Sequence, residues 1–351
     1  MLLALLLAQP VIAQDTPPWE PLGQMPVDQA GAGRRGYALA GESANVAEPG
    51  AMQVSLHMVA ANNVYREQAG DFLITERGET HTLALGFRRG MKLRIFPRLE
   101  FGGQIQLHER DAGFLNGFIS GFEDLWVSLT GSSSAKNQLR ANGAVLPPLG
   151  TVVMNRDQLS YQATGDGSGL GDISLVAKAV LRDGAPASRD TRVAARVAVN
   201  LSGVSDFTEG NFAGFGVSLD KKLLKWAAFH GDVRATILLD RMSQWNLPLK
   251  RASFGFSAGP EFKLTGSSSL SFQYDGNTTP YLPAGAAAFD EGFGDITIGL
   301  SHRFRSGPNA FLAQVYAREN LDLPLRVRWN TDPDLAVGIR IAHDFGSQRS
   351  R

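Results

Sequence analysis

From Met52 onward the chain alternates apolar and polar residues with period two, the period of a β-strand. In RVAARVAVNL the apolar set is Val193, Ala195, Val197, Val199 and Leu201, with Arg192, Arg196 and Asn200 between them. KRASFGFSAGPEF sets Ala252, Phe254, Phe256, Ala258, Pro260 and Phe262 against Ser253, Gly255, Ser257, Gly259 and Glu261. DITIGLSHRFR and DLAVGIRIAHDF repeat the pattern, ending on Phe304 and Phe345. The alternation predicts twelve strands, near 52–64, 80–94, 99–109, 171–182, 191–201, 213–221, 228–240, 250–262, 268–278, 293–305, 309–318 and 334–345.

The connections carry a second pattern. Those at 65–79, 110–170, 202–212, 241–249, 279–292 and 319–333 are long, and those at 95–98, 183–190, 222–227, 263–267 and 306–308 are short. Long loops at one end and tight turns at the other, with an even strand number, is the arrangement of a bacterial outer-membrane barrel. A secreted β-sandwich also alternates apolar and polar residues. It gives no reason for long and short connections to take turns, and its strands are usually about 5–6 residues long. The expected fold is therefore all-β: a single closed antiparallel transmembrane β-barrel of about twelve strands at residues 51–346.

The flanks differ from the barrel. MLLALLLAQPVIAQ has an apolar run and small residues before Gln14, as a cleavable secretory signal does, which assigns residues 1–13 to a signal peptide and export. Residues 14–50 are rich in Pro, Gly and Ala without a period and are expected to form a periplasmic N-terminal segment. Residues 347–351 form a C-terminal tail. Location in a Gram-negative outer membrane implies lipid and the outer-membrane assembly machinery as partners.

One stretch breaks the strand period. In GFLNGFISGFEDLWV, Phe114, Phe118, Phe122 and Trp126 fall at helical spacing, which predicts a short amphipathic helix in the long loop after the third strand. Such a helix could plug the barrel mouth, lie on the lipid interface or rest on the rim. The order of three segments, FLNGFISGFEDLW, GDGSGLGDISLVAKAVL and EGFGDITIGLSHRF, resembles the family called domain of unknown function 3187, a set of outer-membrane β-barrels. That resemblance, over residues 45–345, implies a location and an architecture and no reaction. Within it, GLGDISL and GFGDITI share one pattern and place Asp172 and Asp295 at the outer rim, facing inward, to cap turns or pair with an arginine.

Parity then sorts the charges. Arg88, Lys92, Arg94, Glu100, Arg192, Arg196, Asp232, Arg234, Asp240, Glu261, Asp275, Arg303, Arg340 and Asp344 fall on the polar side of their strands. A charge facing lipid at mid-depth costs about 2–4 kcal/mol, so these are expected to face the lumen. Two readings follow: a salt-bridged interior that holds the barrel rigid, or an arginine ladder that favours anions in a small-solute channel.

Composition narrows the alternatives. Lys+Arg and Asp+Glu are equal at 34 each, which argues against a nucleic-acid partner. With no cysteine there is no disulfide framework or thiolate metal site, and no cofactor or metal is expected. The histidines His57, His81, His108, His230, His302 and His343 have no metal spacing, and no nucleophile elbow stands out. The expected function is a small-solute or ligand channel, not an enzyme. A closed structural or interaction barrel is the alternative, and a lipid-modifying enzyme, acting through His81 or His108, the lesser one.

Overall fold

The structure, a computed structural model, describes residues 20–25, 39–69, 72–111, 113, 149–156, 158–183, 191–202, 207, 210–243, 248–278, 293–306, 309–320 and 335–345. Most of these residues form β-strands, and none of them is helical. The strands are β1 (Met52–Ala69), β2 (Phe72–Met91), β3 (Leu99–Asp111), β4 (Gly150–Asn155), β5 (Gln158–Thr164), β6 (Gly167–Arg182), β7 (Thr191–Leu201), β8 (Phe212–Leu224), β9 (Ala227–Leu238), β10 (Ala252–Lys263), β11 (Ser268–Asn277), β12 (Phe293–Ser306), β13 (Asn309–Asn320) and β14 (Leu335–Phe345).

Twelve of them close into an antiparallel barrel. β3 pairs with β6, the order then runs without a break to β14, and β1 pairs with both β14 and β2. Leu56 sits opposite Ile341 on one side and Leu85 on the other. Closure leaves no strand edge unpaired in the wall, which lipid requires because it cannot hydrogen-bond a free backbone.

The outward residues decide between barrel and sandwich. Val197 is 54% exposed, Phe254 60% and Ile298 46%. In a sandwich these side chains would be packed against a second sheet; here they form part of an apolar outer face. The inward residues of these and the neighbouring strands, among them Ser257, Thr236, Thr297, Gln273 and Gln314, are buried. The protein is thus greasy outside and polar inside.

The sheet also extends beyond the rim. β1 stops pairing with β14 at Asn62, and β2 stops pairing with β3 at Glu79, yet both strands continue toward the long-loop end. There Phe72–Arg77 of β2 pairs with β4, and β4 pairs with β5. The long connection after β3 therefore contributes a hairpin that widens this extension, which the sequence pattern did not reveal. The helix expected at 114–127, with Phe114, Phe118, Phe122 and Trp126, lies outside the described residues, as do the signal peptide at 1–13 and the tail at 347–351.

Candidate functional site

The polar interior is occupied. Two stretches of the segment expected at 14–50, residues 20–25 and 39–47, are bonded to inward-facing side chains of the barrel. The reason lies in hydrogen-bond supply. A segment outside any sheet must find partners for its amides and carbonyls, and the wall offers a dense set of polar side chains.

The first stretch lies against β10–β14 and β1. The amide of Leu22 donates to both oxygens of Glu261 at 2.9 and 3.1 Å, and that of Gly23 donates to Glu261 Oε2 at 3.1 Å. The amide of Met25 donates to Gln273 Oε1 at 3.0 Å, and the Ser257 hydroxyl donates to Gln24 Oε1 at 3.0 Å. Apolar contacts add to these: Leu22 packs with Leu312 and Ala342, and Met25 with Val59, Ala61, Tyr316 and Ala336. The wall is recessed to receive Met25, since a Cβ on Gly299 would stand 2.5 Å from the Met25 methyl carbon.

The second stretch runs beside the first, with Gly41 close to Ser257 and Gln24, and reaches toward β2, β6 and β7, where it is held by charge. Glu42 accepts from Arg88 through two bonds, Nη2 to Oε1 at 2.9 Å and Nη1 to Oε2 at 3.1 Å. Lys178 Nζ lies 3.1 Å from Oε2, and Arg196 Nη1 lies 3.3 Å from Oε1. Burial works against the charge on Glu42. Arg88, Lys178 and Arg196 outweigh it and hold the carboxyl well below the usual carboxylate range. Nearby, Ala47 donates its amide to Glu100 Oε2 at 2.7 Å, Arg192 bonds Asn45, and Arg98 donates to the Val46 carbonyl at 2.7 Å. A Cβ on Gly214 would stand 2.4 Å from Leu39 Cδ1, so this wall too is recessed where the segment lies.

The two stretches touch directly, Gly23 lying against Ser43, and are also coupled through the wall. Glu261 bonds His230 at 2.8 Å, the other ring nitrogen of His230 meets Asp220 at 2.6 Å, and Ser43 donates to Asp220 at 2.7 Å. A second series of ion pairs runs round the barrel: Glu100–Arg88 at 2.8 Å, Arg196–Asp232 at 3.1 Å, Asp232–Arg234 at 3.3 Å and Arg234–Asp275 at 3.7 Å. Higher up, Asp295 pairs with Arg318, and Asp172 accepts from the Asn200 amide at 2.7 Å. Toward the short-turn end Arg340 donates to Gln314 and Gln53, each at 3.0 Å, Gln53 donates to Asp344 at 2.6 Å, and Arg303 lies 3.7 Å from Glu20.

Three residues of the parity list sit elsewhere. β2 ends at Met91, so Lys92 and Arg94 lie in the turn to β3 and are exposed. β9 ends at Leu238, so Asp240 lies at the rim, where it accepts from the Asn211 amide at 2.7 Å. In each case parity was carried past the strand's end. Lys178, Asp220, His230 and Arg318 were missed, although the first three share parity with Asp172, Asp232 or Arg234 on the same or the adjacent strand. Glu42 had no periodic signal to reveal it.

At the long-loop end, Phe207 from the β7–β8 connection stacks on His108 with centroids 5.6 Å apart, and the Arg110 guanidinium lies 5.4 Å from its ring centre. His108 bonds Thr82 at 2.9 Å and Gln106 at 3.2 Å, and His81 lies 3.4 Å from Asp111 and 3.3 Å from Glu79. His57 meets the Tyr316 hydroxyl at 2.9 Å. His302 and His343 are on the outer face; Ser268 and His302 are 2.7 Å apart, with no carboxylate at ion-pair distance from that ring among the described residues. Among the described residues no cluster of three or more His, Cys, Asp or Glu could hold a metal.

No family model and no curated protein matches the chain. Solved structures do. An outer-membrane channel from Pseudomonas putida F1 is 12% identical, with 86% of this chain and 97% of that chain covered and a TM-score of 0.51. A FadL homologue from Pseudomonas aeruginosa is 10% identical over 85% of this chain and 90% of that one, with a TM-score of 0.35. The toluene transporter TodX from Pseudomonas putida is 12% identical over 85% and 89%, with a TM-score of 0.34. The first likeness places this fold with that of a bacterial outer-membrane channel.

Proposed function

We propose that the protein is a small-solute channel of the bacterial outer membrane, delivered there by the leader at 1–13 and closed at rest by its own residues 20–25 and 39–47. The observation that carries this reading is a segment held inside a closed, polar-lined barrel by hydrogen bonds, ion pairs and apolar contacts. A wall built for rigidity needs no occupant, because its charges could neutralise one another directly. Here the wall instead directs Arg88, Lys178, Glu261 and Gln273 at the segment. The short-turn end faces the periplasm, as in other outer-membrane barrels, and the segment enters β1 from that end.

The test is conductance in planar bilayers. The full chain is expected to give small or rare openings, and the chain lacking residues 14–48 openings several-fold larger. If both proteins insert and neither conducts, the channel reading falls. The second reading, a closed interaction barrel, is then favoured by the packing of Leu22 and Met25 into the wall.

A further inference from the structure

We propose that Arg88, Lys178 and Arg196 form a binding site for the carboxylate of an acidic small solute, and that Glu42 occupies it as a tethered stand-in. The inference rests on the channel reading and names the class of cargo. Its basis is how Glu42 is received. Three cations from β2, β6 and β7 converge on one carboxylate, and Arg88 grips both oxygens with its fork. That planar two-point geometry is how guanidinium recognises carboxylate.

Charge balance points the same way. Without Glu42, Arg88 keeps Glu100 at 2.8 Å and Arg196 keeps Asp232 at 3.1 Å. Lys178 is 2% exposed, and no other carboxylate lies within ion-pair distance of it among the described residues. Asp232 is shared with Arg234, and Asp220 acts on Lys178 only from beyond ion-pair distance, so Lys178 is the cation that loses its direct partner when Glu42 leaves. A buried unpaired ammonium is costly, so the emptied site favours a monoanionic group and gives a neutral or cationic solute nothing comparable.

The probe is succinate, with uncharged succinamide as its control, titrated by calorimetry into protein purified in detergent. Wild type is expected to bind succinate weakly, because Glu42 competes from within. Glu42→Ala is expected to bind it at least about tenfold tighter, and succinamide no better than wild type does. Adding Lys178→Gln to Glu42→Ala is expected to remove about tenfold of that affinity, the scale of one charged hydrogen bond. Heat-modifiable migration on a gel confirms that each variant is folded. If Glu42→Ala does not fold, Glu42→Gln replaces it under the same comparison. Equal succinate binding by wild type and the Glu42 variant overturns the proposal, as does equal binding with and without Lys178. Because binding in micelles needs no conduction, the two readings fail separately. Tight succinate binding with silent bilayers sinks the channel and keeps the site. Open channels without succinate binding do the reverse.

Discussion

The two stretches of the internal segment are held by different physics. Residues 20–25 use main-chain amides and apolar side chains: Leu22 and Gly23 donate to Glu261, and Met25 is fully buried. Residues 39–47 use side-chain charge, with Glu42 among Arg88, Lys178 and Arg196. The first anchor depends on shape and depth. The second depends on the sign of one residue. A plug with both can keep one anchor while it releases the other.

The strongest way to break the comparison is Glu42→Lys. It sets a fourth cation among three, and breaking a buried ion pair costs about 3–5 kcal/mol. Residues 39–47 should leave their wall, bilayer conductance should rise several-fold, and amide exchange should stay slow at Leu22–Met25. If exchange accelerates equally in both stretches, they are one unit and the comparison is wrong. Met25→Ala acts on the other anchor. Removing a fully buried methionine costs about 2–5 kcal/mol, and fast exchange should then be confined to residues 20–25, read by the same measurement. The smallest effect is that of salt. Between about 0.1 M and about 1 M the screening length falls from about 10 Å to about 3 Å. Modestly faster exchange is expected at residues 39–47 and none at 20–25. A salt response centred on Met25 would reverse the assignment.

Much of the wall was legible in the sequence because lipid imposes a strict rule on it. A strand with one face to hydrocarbon must alternate, so Val197, Phe254 and Ile298 declared their outward direction while Arg196, Glu261 and Asp275 declared theirs. The rule stops where the strand does, which is why Lys92, Arg94 and Asp240 were placed wrongly. It is also silent for a segment without a period. Glu42 meets Lys178 across 136 positions of chain, and Leu22 meets Glu261 across 239. Pairings at such separation leave no local trace. The β4–β5 hairpin was missed for a related reason: Val152, Val153 and Met154 are apolar in succession and lie on an extension beyond the rim, where the lipid rule no longer applies.

The position of the occupant ahead of β1 has a consequence for biogenesis. The hoop of strands is sealed where its first stave meets its last, at the β1–β14 seam. The cargo stowed within is the stretch of polypeptide just before that first stave, joined to it at Ala51, whose carbonyl accepts from Gly90 at 2.9 Å. Filling and sealing therefore share one end of the molecule, and the vessel can be laid around its contents as it is finished.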